Sequence, residues 1–136
     1  MKPSLFFAAA LFVLAACQTS GSGTQTAAAP EMKGEPVSSE QLAALVYGKR
    51  IQDLDRADHW VEFSADGTAV GASRGKMFDM TYELEDGGWC RVIRPEGADP
   101  DDLDRYTKCQ KIRYDGERLY FYDADGSLST QYAIES

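Results

Sequence analysis

The sequence is poor in basic residues, with 14 lysines and arginines against 22 aspartates and glutamates and a formal net charge of −8. A protein that binds nucleic acid usually presents an excess of cations to the phosphate backbone, so this balance argues against such a partner. The chain is also short, and its 136 residues are enough for one hydrophobic core but not for a second domain. We therefore expect a small single-domain protein with no nucleic-acid partner.

Residues that commonly carry catalysis or bind metals are scarce. Histidine occurs once, at His59, and the chain has neither a Cys-x-x-Cys nor a Gly-x-Ser-x-Gly motif. The first absence argues against a zinc or redox pair, and the second removes the nucleophile turn of many hydrolases. We expect no metal, no cofactor and no enzymatic activity.

A membrane-spanning helix is not predicted at the N-terminus. Lys2 is followed by nine apolar residues, Leu5 to Val13, whereas a span needs about 20. The polar residues from Gln18 onward end the apolar segment. One positive charge before a short apolar run is typical of a secretory signal that is removed from the mature protein.

The residues after this run are Leu14, Ala15, Ala16 and Cys17, which resemble at all four positions the lipobox of bacterial lipoproteins. The resemblance implies that the Cys17 thiol is joined to a diacylglycerol, that the chain is cut before it, and that the new amino group is acylated. Two or three acyl chains anchor a protein stably. Gln18 in place of aspartate implies sorting to the outer membrane, with the domain facing the periplasm.

An ordinary secretory signal is the alternative interpretation of this N-terminus. Its cleavage site would be Ala27, Ala28 and Ala29, which lie far beyond the apolar run and precede Pro30. Cys17 would then carry no lipid.

The other two cysteines predict a disulfide. If Cys17 carries lipid, Cys90 and Cys109 remain as a pair in an oxidising compartment. Directly opposed residues of an antiparallel hairpin have a constant index sum, and this pair places the centre of the turn between Asp99 and Pro100. Strand-breaking residues cluster there, so a hairpin with a Cys90–Cys109 disulfide is predicted.

The chain divides into three parts. We assign residues 1–16 to a lipoprotein signal peptide, 17–37 to the lipidated cysteine and a flexible tether, and 38–136 to a single β-rich domain. Thr19 to Pro36 is mostly Ser, Gly, Thr, Ala, Gln and Pro and is predicted to be disordered.

A short helix is predicted at the start of the domain. Ser38 and Gln41 have the spacing of a capping box, and an apolar stripe follows at Leu42, Leu45 and Val46. With Gly48 as its stop, the helix would cover Ser39 to Tyr47 and close one end of the domain.

The rest of the chain predicts an all-β fold. Turn signals recur at intervals of about 8 to 12 residues, which is typical of a sandwich or barrel. Two segments alternate between apolar and polar residues: Phe78, Met80, Tyr82 and Leu84 share one face, as do Leu128, Thr130, Tyr132 and Ile134. We predict an antiparallel meander of seven to eight short strands that forms a small barrel or near-closed sheet. Whether its interior is filled or holds one small ligand is left open.

A further resemblance rests on landmarks that occur together and in order: Trp60 to Thr68, Gly87 to Cys90, Cys109, Asp115 with Gly116, and Tyr120 to Gly126. Over residues 48–132 this order looks like a group of small exported bacterial proteins of unknown function. The resemblance implies a compact β domain with a Cys90–Cys109 disulfide, and it carries no activity. The chain departs from the group in its longer acidic loop before Cys109.

Two groups of residues suggest catalysis or metal binding, and each has a simpler interpretation. His59 with Asp58 could form half of a hydrolytic site, with Ser64 or Ser73 as nucleophile, but a lone histidine before a strand is more often a surface residue. The acidic loop offers a set of calcium-type oxygen ligands: Asp99, Asp101, Asp102 and Asp104. It lacks the glycine and glutamate of an EF-hand loop, so a solvated loop is favoured.

Aromatic residues suggest a second type of site. Trp89, Tyr106, Tyr120 and Tyr122 could line a ligand pocket. Strands are rich in such residues in any case, so we favour their placement in the core or in cross-strand pairs.

We expect a non-enzymatic, lipid-anchored envelope protein that acts as an interaction or structural module. One alternative is a carrier of a small apolar ligand in the barrel. Another is an acidic inhibitor that captures a cationic envelope enzyme such as lysozyme through electrostatic steering. Small lipid-anchored β-barrel inhibitors of lysozyme have this general form, which is a likeness of fold alone.

Overall fold

The computed structural model describes residues 31–136 except Glu96 and Pro100. The lipobox, Cys17 and the predicted signal peptide lie outside the described residues. The strands are β1 (Glu35–Pro36), β2 (Arg50–Asp53), β3 (Trp60–Phe63), β4 (Thr68–Ser73), β5 (Lys76–Glu85), β6 (Gly88–Val92), β7 (Thr107–Tyr114), β8 (Arg118–Tyr122) and β9 (Leu128–Ile134). Two helices are described, α1 (Ser39–Val46) and α2 (Leu103–Tyr106).

Eight of these strands form a closed antiparallel barrel. The hydrogen-bonded order is β7-β6-β5-β4-β3-β2-β9-β8, and pairing of β8 with β7 closes the circle. Closure leaves no free strand edge in the barrel, which removes the template for edge-to-edge association. β1 is an extra strand that pairs with the last two residues of β7 beside the start of β6. The predicted all-β barrel with one short N-terminal helix is confirmed.

The barrel interior follows the alternation seen in the sequence. On β5, Met80 and Tyr82 are buried, whereas Asp79, Thr81 and Glu83 are exposed. On β9, Tyr132 is buried, but Leu128 remains 39% exposed. The predicted common face of β9 does not include Leu128. This residue begins the strand, and the pairing with β8 shifts its register at Phe121/Tyr122.

Helix α1 closes one end of the barrel. Ser38 Oγ accepts from the Gln41 N–H, and the Gln41 side chain accepts from the Ser38 N–H, so the predicted capping box is present. The buried Leu42 and Val46 face the core, while Glu40 is exposed. The helix ends one residue earlier than predicted, and Gly48 follows with a positive φ of 71°.

Both flanks of α1 are tied to the same end of the barrel. The Gly87 N–H in the β5–β6 turn donates to the Val37 carbonyl, and the Gly48 N–H donates to the carbonyl of Phe63 at the end of β3. We call this the closed end. The opposite end, where β2, β4 and β6 finish and β9 begins, is the open end.

Aromatic rings fill the closed half of the interior. Phe63 contacts Tyr82 and Trp89, with ring centroids 5.0 and 5.5 Å apart. Phe121 lies between Trp89 and Tyr132 at 5.3 and 4.8 Å. These edge-on and tilted contacts are the arrangements that aromatic pairs favour, and they make this half a packed core.

The predicted disulfide is confirmed. Cys90 and Cys109 are directly opposed in the β6–β7 pairing and are bonded to each other. The adjacent residues Trp89 and Gln110 are buried in the core. Because side chains alternate along a strand, the two cysteines point outward. The bond therefore lies on the outer surface and closes the long β6–β7 connection, which contains α2.

The segment before α1 lies on the outside of the barrel. The Lys33 N–H donates to Tyr122 Oη at 2.6 Å, and Arg113 Nε donates to the Gly34 carbonyl at 2.9 Å. A Cβ at Gly34 would lie 3.0 Å from the Tyr114 backbone, so glycine permits this close approach. The sequence assigns these residues to the tether, and the structure shows contacts with the barrel that begin before position 38.

Candidate functional site

A cavity of about 290 Å³ occupies the open end of the barrel. Its wall combines an apolar floor with a polar and cationic rim. The lining residues include Val61, Phe78, Met80, Trp89, Ile93 and Tyr132 from the apolar set, and Arg56, His59, Arg91, Lys108, Gln110 and Thr130 from the polar set. Most of them come from the halves of the strands nearest the open end or from the adjoining loops, whereas Trp89 and Tyr132 reach the cavity from the closed half.

The floor is built from residues that alternate inward on neighbouring strands. Met80 is buried on β5, Trp89 on β6 and Tyr132 on β9. Burial raises the pKa of Tyr132 to about 12, so its phenol stays neutral. The Phe78 ring packs over Gly71, where a Cβ would come within 2.4 Å of the ring. Glycine at this position therefore lets the Phe78 ring lie flat against β4.

A buried carboxylate behind the rim has two partners that line the cavity. Asp53 is 3% exposed, and its Oδ2 lies 2.7 Å from His59 Nδ1 and 2.9 Å from Arg56 Nε. Burial raises the pKa of Asp53, but hydrogen bonds from His59, the Asp55 N–H and Arg56 outweigh this effect and hold it below 3.8. An ionised Asp53 accepts from the His59 Nδ1–H, which fixes the imidazole ring at the cavity wall.

A second network connects the floor to the rim. Trp89 Nε1 donates to Gln110 Oε1 at 3.1 Å, and Gln110 Nε2 donates to Asp123 Oδ1 at 2.8 Å. Lys108 Nζ lies 2.9 Å from the same carboxylate oxygen. The hydrogen bonds from Lys108 and Gln110 lower the pKa of Asp123. This network gives the buried side chains of Trp89 and Gln110 their hydrogen-bond partners, and Asp123 neutralises the charge of Lys108.

Arg91 differs from the other two cations of the rim. It alternates with Trp89 on β6 and is opposed by Tyr82 and Lys108 on the neighbouring strands, which places it on the inner face. Burial lowers the pKa of Arg91. Among the described residues, no carboxylate lies within 4.0 Å of its guanidinium and no hydrogen bond fixes it. Among the described residues that line the cavity, Arg91 is therefore a cation that forms no ion pair within 4.0 Å.

The structure separates the aromatic candidates. Trp89 lies in the core and on the cavity floor, whereas Tyr106 ends α2 and is not among the described residues that line the cavity. Tyr120 and Tyr122 are buried on the outer side of β8, beneath the segment that contains Lys33. Both point away from the barrel because Leu119 and Phe121 occupy the inward positions of that strand.

The structure does not bring the candidate hydrolytic residues together. His59 is bonded to Asp53, while Asp58 is exposed. Ser73 lines the cavity near His59, but Ser64 lies at the other end of β3, where its carbonyl accepts from Tyr82 Oη. The structure leaves all four acidic loop residues exposed: Asp99, Asp101, Asp102 and Asp104. In the described ranges, no three potential ligand side chains come together as a metal site.

Comparison of the chain with family models, curated proteins and solved structures yields no match. None of the helices in the described part of the chain has the length and hydropathy of a membrane span. Evidence for function therefore comes from the site itself.

Sequence reasoning missed Arg91, Lys108 and Asp53 as parts of one site. The alternation of β6 contained a signal, because Trp89 and Arg91 must share a face if Cys90 points outward to Cys109. Nothing local in the sequence brings the β2 carboxylate to the same rim, since this requires closure of the barrel.

The Asp53 network predicts a pH-dependent contribution to stability. The lowered pKa means that Asp53 stabilises the fold above about pH 4 and that this contribution is lost as pH falls through the folded-state pKa. Asp53→Asn should reduce the free energy of unfolding at pH 7 by about 1–3 kcal/mol, because an amide faces two donors with a donor of its own. Urea unfolding at pH 7 and near pH 3 measures both effects.

The matched control for this prediction is Asp58→Asn, which changes an exposed carboxylate of the same loop. It should unfold like the wild type at both pH values. Equal unfolding free energies and equal pH dependence for Asp53→Asn and the wild type would contradict the role given to Asp53.

Proposed function

We propose that this protein is a non-enzymatic, lipid-anchored carrier of the bacterial envelope that holds a small amphipathic ligand in the open end of its barrel. The observation that carries the proposal is the cavity of about 290 Å³ at that end. Ligand pockets are typically concave, largely apolar and equipped with a few polar groups that orient the ligand. A cavity near the lower limit of their usual size suits a small ligand or part of a larger one.

The contrast between the two barrel ends supports binding at the open end. Leu42 and Val46 of α1 are fully buried at the closed end, and the aromatic core lies beneath them. At the open end the half-buried Phe78 and Ile93 line the cavity and are reached from outside through a polar rim. An entering ligand can thus bury apolar surface without displacing the core.

The hydrogen bonds of His59 support a non-enzymatic role. A nucleophilic site needs a hydroxyl within hydrogen-bond reach of its base. In the described part of the chain, the polar contacts of the His59 ring are with Asp53 and Arg56, and no serine or threonine hydroxyl is bonded to it. We assign His59 to the cavity wall as a positioned polar group.

Lipidation of Cys17 and location on the periplasmic side of the outer membrane remain part of the proposal, on the evidence of the lipobox. The described chain enters the domain at the open end, where Lys33 bonds Tyr122 at the finish of β8. The stretch from Cys17 to Lys33 spans at most roughly 50 to 60 Å at full extension.

The test of the carrier function uses N-phenyl-1-naphthylamine, a neutral apolar fluorophore, with the mature chain 17–136 made as Cys17→Ser so that no acyl chain competes for the cavity. We expect enhanced fluorescence in the wild-type cavity. Ser73→Phe should weaken binding by about tenfold or more, because Ser73 lines the cavity and a phenyl ring would fill it.

Val70→Phe is the control, since it adds the same ring to the exposed outer face of the same strand, β4. It should bind the fluorophore like the wild type. Absence of binding to the folded wild-type chain would refute the carrier proposal, as would equal binding by a folded Ser73→Phe variant.

The outer face supports the second candidate function, which is capture of a cationic envelope protein. Asp79, Glu83 and Glu85 point outward from β5 and are exposed, in a chain with net charge −8. Such a stripe can steer a basic partner such as lysozyme into contact. A barrel that binds no small molecule would favour this interaction module.

A further inference from the structure

We propose that the ligand of the open-end cavity is an amphiphile with an anionic head, of carboxylate or phosphate type, whose head pairs with Arg91 and whose apolar chain lies on the cavity floor. This inference rests on the proposed carrier function and specifies its ligand. It depends on the cationic side chains that line the cavity of an otherwise acidic protein.

The local charge of the cavity is opposite to that of the chain. Three cations, Arg56, Arg91 and Lys108, line the cavity, and no carboxylate is among its described lining residues. The formal net charge of the whole chain is −8. Field lines in a concave, low-dielectric site are set by the nearest charges, so this wall favours an anion even though the protein as a whole repels one.

Two of the three cations already have partners. Arg56 pairs with Asp53 at 2.9 Å, and Lys108 pairs with Asp123 at 2.9 Å. Asp53 and Asp123 also accept hydrogen bonds from His59 and Gln110, so both carboxylates are occupied. Asp123 also attracts Arg91 from beyond 4.0 Å, but no carboxylate in the described part of the chain forms an ion pair with Arg91.

The environment of Arg91 makes an anionic partner favourable. Its guanidinium is withdrawn from water on the inner face of β6, with Lys108 as its opposed neighbour on β7. A partly buried charge loses hydration, and an anionic partner offsets that loss. Guanidinium can donate to a carboxylate or a phosphate through two parallel hydrogen bonds, so either anion suits Arg91.

The lining beneath Arg91 fits the apolar part of the same molecule. Trp89 is the next inward residue of β6, and Met80 and Phe78 line the neighbouring strand β5. The head and chain sites are therefore adjacent along one strand. This spacing distinguishes an amphiphile from a free inorganic anion, which would leave the floor uncovered.

The experiment compares amphiphiles with the same chain and different heads. Dodecanoate, dodecyl phosphate, dodecyltrimethylammonium and dodecanol compete for N-phenyl-1-naphthylamine in the mature Cys17→Ser chain, each below its micelle concentration. We expect the two anions to compete at least about tenfold better than the cation and the alcohol. Their advantage should shrink as salt is raised.

Variants assign the preference to Arg91. Arg91→Gln should weaken binding of the anions by about 10- to 100-fold, because a hydrogen bond to a charged group is lost. The loss should be at least about tenfold larger for the anions than for the neutral fluorophore, because only the anions pair with the guanidinium. Arg91→Lys should retain part of the anion preference, and Arg94→Gln, a control at an exposed arginine of the same segment, should behave like the wild type.

The outcomes separate this inference from the proposed function. If the wild type fails to bind the neutral fluorophore, the carrier proposal falls. If it binds the fluorophore but dodecyltrimethylammonium competes as well as dodecanoate, or Arg91→Gln binds dodecanoate like the wild type, only the anion inference falls. Stronger competition by dodecyl phosphate indicates a lipid phosphate as the ligand, and stronger competition by dodecanoate indicates a fatty acid.

Discussion

Replacing Phe121 with alanine is expected to lower the free energy of unfolding by about 3–5 kcal/mol, the largest loss for a single change in this domain. Phe121 is 2% exposed and its ring contacts both Trp89 and Tyr132. Its removal leaves a cavity that the closed barrel cannot collapse around, because the β8 backbone is paired on both sides. Urea unfolding followed by tryptophan fluorescence measures the loss.

The control for Phe121→Ala is Met77→Ala, which removes a large apolar side chain that is 62% exposed on β5. This change should stay within about 0.5 kcal/mol of the wild type, as surface substitutions usually do. A loss below about 1 kcal/mol for Phe121→Ala would show that the aromatic row is not the packed core.

The second large effect is expected from the disulfide. The double variant Cys90→Ser with Cys109→Ser should lose roughly 3 kcal/mol, because the bond closes a loop of 19 residues and limits the conformations of the unfolded chain. Both side chains face outward, so serine fits the folded state without a new cavity. The denaturant dependence of unfolding should also steepen as the unfolded chain becomes more extended.

Reductant provides the control for the disulfide prediction. Wild-type protein treated with dithiothreitol should fall to the stability of the double variant, and the double variant should not respond to the reagent. Equal stability of the oxidised wild type and the double variant would contradict an energetic role for the bond. The ligand site lies on the inner face, so fluorophore binding by the folded double variant should be preserved.

Local sequence signals predicted several elements correctly. The capping box at Ser38 and Gln41 specified the start of α1 because its two hydrogen bonds involve residues three positions apart. The alternation of β5 predicted which residues face the core, since successive strand side chains point to opposite faces. The index sum of Cys90 and Cys109 fixed the register of the β6–β7 hairpin because opposed residues share one sum.

Other features depended on long-range contacts. The sequence predicted that Tyr120 and Tyr122 lie in the core, in cross-strand pairs or in a pocket. They lie on the outer face of β8, where the segment around Lys33 covers them. Strand alternation gives two faces and does not say that an N-terminal segment 89 residues away will cover the outer one. The same reason explains why the sequence places Gly34 in the tether, although its carbonyl accepts from Arg113 of β7.

The sequence by itself determined that this chain forms an antiparallel β domain with a terminal helix and one disulfide, because periodicity, capping and hairpin register are set by neighbouring residues. Only the tertiary structure decided that the barrel is closed by β7 and β8 and that Arg91 lines a cavity at the end opposite α1. The physical reason is that closure brings Arg56 and His59 of the β2–β3 loop to the same cavity as Arg91 and Lys108 of the β6–β7 hairpin. These side chains surround one cavity only once the circle of hydrogen bonds is complete.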